Sequence, residues 1–133
     1  MTFEKKVIAS EDAPKGRGPF PQALRCGPMV FVSGQGPLSA ATNAPIGGTF
    51  AEQAMQTLRN VEAVLAAAGL GMQHIVKATI YLQDLGRVEE FNDVYRKVMP
   101  EPWPARTLVA AGLRGIDVEI DVIAIDPEAR GLS

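Results

Sequence analysis

Two charged residues in the C-terminal part of the chain are placed where they could act on a small carboxylic acid. Arg106 follows the proline-stiffened turn Pro102-Trp103-Pro104 at the start of a predicted strand, and Glu119 lies in the middle of the next one. A planar guanidinium can hold a carboxylate through two parallel hydrogen bonds. A nearby glutamate can then move a proton or position a water molecule. The pair predicts chemistry that needs no metal and no cofactor.

The composition indicates one globular domain over residues 1–133. Hydrophobic residues make up 47 % of the chain and charged residues 21 %. A chain of this length can bury roughly 65–70 % of its unfolded surface, so its core needs no disulfide or metal. The net charge is −2 and the isoelectric point is near 5.4. An acidic chain of this kind argues against nucleic acid as a partner.

Cysteine and histidine are too few for several kinds of site. Cys26 and His74 are the sole residues of their types. No disulfide within the chain is therefore possible, and the ligand spacing of a zinc site is absent. A Ser-His-Asp triad would have to use His74, at the start of a predicted strand, and we do not expect one. No signal-peptide pattern and no apolar stretch long enough to span a bilayer is found, so we expect a cytoplasmic protein with no membrane partner.

The hydrophobic periodicity predicts an alternating order of strands and helices, β-β-α-β-α-β-β. Thr49 and Glu52 have the spacing of a capping box before the first helix, and Gly69 is suited to end it. The second helical stripe is stopped by Pro100. The elements cover Val7–Ser10, Met29–Ser33, Phe50–Ala68, Val76–Leu82, Val88–Val98, Ala105–Ala110 and Asp117–Ile125.

This order predicts an α+β fold in which two helices lie on one face of a mixed sheet. The opposite face then needs a cover, which the chain itself cannot supply. We expect Met29, Phe31, Ile75, Ile123 and Ile125 to point to that side. Self-association would cover them, and a closed cyclic oligomer is the usual form.

A set of short segments, each weak alone, occurs in a specific order and spacing from about Ala13 to Ile125. They are Gly18-Pro19-Phe20-Pro21-Gln22-Ala23, Val32-Ser33-Gly34-Gln35, Gln53 with Asn60, Leu65-Ala66-Ala67-Ala68-Gly69, Val76-Lys77, Phe91-Asn92-Asp93-Val94-Tyr95, Pro104-Ala105-Arg106 and Val118-Glu119-Ile120. In these segments the chain closely resembles the Rid family of reactive intermediate/imine deaminases. The family is also known as YjgF-type and was formerly labelled endoribonuclease L-PSP.

The resemblance implies a chorismate-mutase-like fold and a homotrimer. In such trimers the sheets form a central barrel, the helices lie outside, and three clefts lie between subunits. The family's activity is hydrolysis of 2-enamine and 2-imino acids to 2-oxo acids and ammonia. A small 2-imino or 2-oxo acid is therefore the expected ligand.

The resemblance also implies roles for single residues. Arg106 matches the arginine that grips the substrate carboxylate, and Glu119 matches the glutamate that orients the water. Asn92 matches an asparagine at the cleft, and Ser33 matches the serine of the strand-end motif. The remaining substrate-binding positions depart from the family.

Phe20 stands where active members usually have tyrosine, and Leu108 stands where many have cysteine. The first departure removes a hydroxyl and the second removes a reactive thiol. Gly36 is smaller than the apolar residue often found at its position. These changes leave room for a deaminase of a larger unsaturated amino acid such as 2-aminomuconate. The chain could also be a non-catalytic, holdase-like binder of 2-oxo acids, whereas the acidic charge and single histidine argue against a ribonuclease.

Overall fold

The fold is a six-stranded mixed sheet with two helices, described over residues 3–128 of a computed structural model. The strands, in the spatial order β1-β2-β3-β6-β4-β5, include one parallel pair, β4 with β5. The element bounds are β1 Lys6–Ile8, β2 Ala23–Cys26, β3 Met29–Gln35, α1 Phe50–Ala67, β4 Ile75–Leu82, α2 Val88–Val98, β5 Ala105–Ala110 and β6 Val118–Ile125. The expected α+β class and the mixed sheet are confirmed.

Helix α1 begins and ends where its sequence signals predict. The Thr49 hydroxyl accepts a hydrogen bond from the Glu52 backbone N–H at 3.1 Å, and the Glu52 carboxylate accepts one from the Thr49 N–H at 3.0 Å. Such a cap stabilises a helix by about 1 kcal/mol. Beyond Ala67 the chain turns at Gly69, whose φ of 77° suits glycine.

The core lies between the two helices and one face of the sheet. Leu58, Val61 and Leu65 of α1 and Phe91 of α2 are fully buried there. Alternate residues of β4 and β6 meet them from the sheet, since both strands show buried positions at every second residue. The residues between them point to the opposite face.

The strand β2 was not predicted. It pairs with β3 in antiparallel register from Ala23–Val32 to Cys26–Met29, so a two-residue turn joins the strands. Gly27 in that turn has a positive φ of 58°. Ala-Leu-Arg-Cys shows no alternation of apolar and polar residues, and its strand conformation comes from pairing with β3.

The expected orientation of Ile75 was wrong. Ile75 is buried in the core, while Val76 is exposed on the other face. The register with β6 shifts between Ile75 and Lys77, as in a β-bulge. One extra residue reverses which side chains face the core, so a strict two-residue alternation fails at this end of β4.

No element within residues 3–128 covers the sheet face away from the helices. Phe31 and Ile125 are about two-fifths exposed on it, and Met29 and Ile123 are half-buried. These four positions agree with the expected apolar face. Lys77 also lies there and donates a hydrogen bond to the Thr107 hydroxyl at 2.6 Å, so the apolar patch has a polar margin.

Candidate active site

The Arg106 side chain projects from strand β5 toward the helices. It pairs across the parallel ladder with Ala78, which is fully buried in the core. Because β5 is the last strand of the sheet, the long side chain reaches past the core edge to α2. Its guanidinium carbon lies 5.2 Å from the ring centre of Tyr95 and 5.9 Å from that of Phe91. Cation–π contacts of this kind contribute about 0.5–2 kcal/mol and orient the guanidinium.

A groove of about 260 Å³ opens beside this guanidinium. The volume suits a small acid, because sites for drug-sized ligands are usually about 300–1,000 Å³. No acidic residue lines the groove among the described residues. Its lining consists of Asn92, Tyr95, Arg96, Trp103, Pro104 and Arg106.

Two polar atoms near the groove lack a hydrogen-bond partner within residues 3–128. They are the side-chain oxygen of Asn92 and the hydroxyl of Tyr95. An unsatisfied buried polar group costs about 1–3 kcal/mol, so a ligand or water that pairs with these atoms gains affinity. Burial raises the pKa of Tyr95, and the positive charge of Arg106 opposes part of that increase. Tyr95 is therefore a neutral hydroxyl that can donate a hydrogen bond.

Glu119 points to the opposite, uncovered face of the sheet. Its neighbours Val118 and Ile120 are fully buried on the core side, so the alternation of β6 turns Glu119 away from the core. The carboxylate lies over Gly34 of the adjacent strand. A Cβ atom added at Gly34 would come within 2.7 Å of the Glu119 Oε2. The glycine therefore provides the space that this carboxylate occupies.

Asp121 and Tyr81 form a hydrogen-bonded pair near Glu119. Asp121 accepts a hydrogen bond from the Tyr81 hydroxyl at 2.8 Å. Burial raises the pKa of Glu119, and the negative charge of Asp121 raises it further. The hydrogen bond to Asp121 is also the main reason that the pKa of Tyr81 is raised. A carboxylate with increased proton affinity is a better general base near neutral pH.

Ser33 and Phe20 lie on the same side of the molecule as Glu119. With Gly34 they line a depression of about 560 Å³. The Ser33 hydroxyl donates to the Pro21 carbonyl at 2.7 Å, which anchors the loop that carries Phe20. The Phe20 ring is half-exposed and forms a wall of the depression, as its aromatic character predicts.

Gln22 fixes the path of this loop. Its side-chain amide donates to the carbonyls of Ser10, Ala13 and Pro14 at 2.8–3.2 Å and accepts from the Ser10 N–H. No role was expected for Gln22 beyond its place in a motif. Gln22 follows Pro19 and Pro21, which have no backbone N–H to donate. A polar side chain in such a segment can make the hydrogen bonds that the backbone cannot, and this is the sequence signal for the role of Gln22.

The predicted site residues thus fall into two separate groups. Arg106 and Asn92 line the groove on the helix side, and Leu108, on the same face of β5 as Arg106, packs against the core. Glu119, Ser33 and Phe20 surround the depression on the open face, and the two sites share no lining residue. Arg106 and Glu119 therefore do not meet within one chain.

Besides Pro104, three further residues of the groove were not predicted as site residues. Trp103 and Tyr95 form its aromatic walls, and Arg96 adds a second guanidinium. Arg96 follows Asn92 by four residues, a spacing that places both on one helix face. That spacing is the signal that could have identified Arg96.

Comparison with known proteins identifies the family. The family model described as endoribonuclease L-PSP matches residues 10–126. Protein DfrA of Myxococcus xanthus is 43 % identical over 125 residues, which cover 91 % of this chain and 95 % of that protein. The 2-iminobutanoate/2-iminopropanoate deaminase of Bos taurus is 37 % identical over 123 residues, which cover 91 % of this chain and 90 % of that protein. The crystal structure of E. coli TdcF with bound serine has a TM-score of 0.82 at 32 % identity, covering 91 % of this chain and 98 % of that one.

The chain therefore belongs to the endoribonuclease L-PSP family, the Rid family of the resemblance described above. This is a family with imine deaminases among its members. The expected chorismate-mutase-like fold is confirmed by the solved structures. Within residues 3–128, no helix is long and apolar enough to cross a membrane, and no group of three His, Cys, Asp or Glu residues is arranged to hold a metal ion.

Proposed function

We propose that the protein hydrolyses 2-imino acids, and their 2-enamine tautomers, to 2-oxo acids and ammonia without a cofactor. The observation that carries the proposal is the Arg106 guanidinium, held over two aromatic rings beside a groove that is lined by no acidic residue of the described part of the chain. An oriented guanidinium binds a carboxylate through two hydrogen bonds. The bovine relative's name as a 2-iminobutanoate/2-iminopropanoate deaminase supports the same ligand class.

The chemistry divides into an addition and an elimination. Glu119 takes a proton from water while the water oxygen bonds to the imine carbon, and the imine nitrogen takes a proton from solvent. Glu119 then passes its proton to the amino nitrogen of the tetrahedral aminol, the C–N bond breaks so that ammonia leaves, and the hydroxyl loses its proton to solvent to form the 2-oxo group. Asn92 offers an unpaired oxygen that can accept a hydrogen bond from the substrate nitrogen. Positioned acid–base groups usually contribute about 10²–10⁴-fold in rate.

This mechanism requires two copies of the chain at each site. Arg106 and Glu119 leave opposite faces of one sheet, so a substrate held by Arg106 of one copy meets Glu119 of another. Packing the open sheet faces of three copies around one axis would cover Phe31 and Ile123. In our proposal the edge strand β5 of one copy then lies beside Glu119 of the next. A closed homotrimer with three shared clefts is our proposed assembly.

The departures from the family affect different parts of the cleft. Leu108 packs against the core, so it fills volume on the Arg106 side. The room expected beside Gly36 is not empty, because Ile116 Cδ1 would lie 2.9 Å from a Cβ atom at that position. Ile116 therefore fills the space that the missing side chain of Gly36 leaves.

The test is ammonia release from freshly generated 2-iminobutanoate, with 2-aminomuconate in parallel. We expect release from 2-iminobutanoate well above the uncatalysed rate. Binding of 2-oxobutanoate without any turnover would instead indicate a non-catalytic binder of 2-oxo acids. Ammonia from 2-aminomuconate alone would indicate the larger substrate. A cytoplasmic location remains a prediction, which fractionation of cells would check.

A further inference from the structure

A second guanidinium lines the groove beside Arg106. Arg96 lies one helical turn after Asn92 on α2, and a turn of four residues advances about 6 Å along the axis. Arg96 and Arg106 both line the 260 Å³ groove, with Trp103 and Pro104 as its apolar wall. Two cationic groups lie in one small groove, and no acidic residue between positions 3 and 128 lines it. Such a groove suits a ligand with two negative charges.

Arg96 is available for a ligand. Its only ion pair among the described residues is with Asp93, at 3.2 Å on the same helix. Both side chains are more than half exposed. Exposed pairs of this spacing contribute only about 0.3–0.5 kcal/mol. A ligand carboxylate can therefore replace Asp93 at little cost.

Two unpaired polar atoms give independent support for a ligand in this groove. The Tyr95 hydroxyl and the Asn92 side-chain oxygen have no partner within residues 3–128, although Tyr95 is buried, at 4 % exposure. The Tyr95 hydroxyl can donate to a ligand carboxylate, and the Asn92 oxygen can accept from the imine N–H. Neither atom would gain from a purely apolar ligand.

We propose that the preferred substrate is a 2-imino acid with a second carboxylate, such as 2-iminoglutarate, held by Arg106 at the 2-imino end and by Arg96 at the far end. The inference rests on the proposed function for the reaction, and adds the substrate class and a specificity-determining residue. Arg96 touches the distal carboxylate and takes no part in the hydrolysis itself.

The test compares two imines on two variants. An amino-acid oxidase generates 2-iminoglutarate from glutamate and 2-iminobutanoate from 2-aminobutanoate, and semicarbazide traps the imine that remains. Arg59 provides the matched control, because it is also 56 % exposed and pairs with Glu62 three residues along its own helix, at 3.1 Å. We expect the parent protein to favour 2-iminoglutarate in kcat/KM, and Arg96→Gln to lower that preference roughly tenfold or more. Arg59→Gln should keep the parent's preference.

Binding of the stable 2-oxo acids separates the two hypotheses. Calorimetry with 2-oxoglutarate and 2-oxobutanoate needs no turnover, so it tests Arg96 even if no imine is hydrolysed. We expect 2-oxoglutarate to bind more tightly, and to lose that advantage in Arg96→Gln. Equal affinity for both acids in the parent protein, or an equal loss of both in Arg96→Gln, would overturn the dicarboxylate inference. Hydrolysis of neither imine, with binding as expected, would overturn the proposed reaction alone.

Discussion

Arg106 and Glu119 lie on opposite faces of one sheet, on the strands β5 and β6 that flank β4. Arg106 pairs with Ala78, which faces the helices, whereas Glu119 pairs with Tyr81, which faces away from them. No change of rotamer can bring the two charged groups to one ligand within a single chain. If both act on one substrate, each active site contains two copies of the chain.

Replacing Arg106 tests the carboxylate anchor. Arg106→Lys keeps the charge but loses the planar fork, and Arg106→Ala loses both. We expect each variant to reduce turnover roughly tenfold or more, with assembly unchanged, because the guanidinium orients the substrate. An imine-hydrolysis assay and light scattering measure the two effects.

Arg87 offers the control for this experiment. Its guanidinium also lies over an aromatic ring, that of Phe50 at 5.5 Å, but away from the groove. Arg87→Lys should therefore keep full turnover. Parent-like turnover of Arg106→Ala would show that the anchor has been assigned to the wrong residue.

The open sheet face predicts a trimer of about three times 14.2 kDa. Phe31→Lys places a charge in the centre of that face and should yield monomers, which light scattering detects. Ala66→Lys on the exposed side of α1 is the control and should leave the trimer intact. Monomers should also be inactive, because each would hold only half of a site. A parent protein that stays monomeric at micromolar concentration contradicts the shared cleft.

Replacing Glu119 separates a catalytic role from a structural one. Glu119→Gln keeps the shape but removes the basic carboxylate, so turnover should fall, by up to about 10²-fold. Binding of 2-oxobutanoate, measured by calorimetry, should stay close to that of the parent, because Arg106 is the anchor. A parallel loss of binding, assembly and turnover would instead indicate a structural role.

Asp121 should set the pH at which Glu119 becomes active. Burial and the Asp121 charge raise the pKa of Glu119, so its basic form is lost at a higher pH than for an ordinary glutamate. Asp121→Asn removes the charge and should lower that pKa. The acid limb of the kcat/KM profile should then move to lower pH. A limb that stays in place would mean that Asp121 does not influence the reacting group.

The raised pKa of Glu119 should also lower the stability of the folded protein at neutral pH. A carboxyl whose pKa is raised by folding is penalised when ionised, so its contribution to stability falls as pH rises through the interval between the ordinary and the raised pKa. Glu119→Gln should therefore unfold at a higher temperature than the parent at neutral pH. The difference should shrink at acidic pH, where Glu119 is protonated in both states.

Local patterns in the sequence were sufficient to predict the elements whose signals lie within a few residues of one another. The capping box at Thr49 and the turn at Gly69 are of this kind. The strand β2 was missed because its conformation depends on pairing with β3 and not on a pattern of its own. The reversal at Ile75 was missed because it depends on the register with the distant strand β6. The separation of Arg106 from Glu119 depends on the register of three strands, which no local pattern contains. Arg96 was overlooked because an exposed arginine usually has no specific role.

Gly34→Ala tests the position of Glu119 without changing its chemistry. An added Cβ atom would lie 2.7 Å from the Glu119 Oε2, so the carboxylate must move. Gly34 does not have a positive φ, and the new methyl group would strain no backbone angle. We expect a loss of turnover of roughly 10²-fold, because small displacements of a catalytic group are costly.

The control for this prediction is Gly112→Ala. A Cβ atom at Gly112 meets no heavy atom within 4 Å, and its φ is also not positive. Gly112→Ala should keep parent-like turnover, and both variants should keep the parent's assembly and far-UV circular dichroism. A crystal structure of Gly34→Ala should show Glu119 displaced toward Asp121 or the open cleft. Full turnover with a displaced carboxylate would remove Glu119 from the mechanism, since its position would then be irrelevant to the reaction.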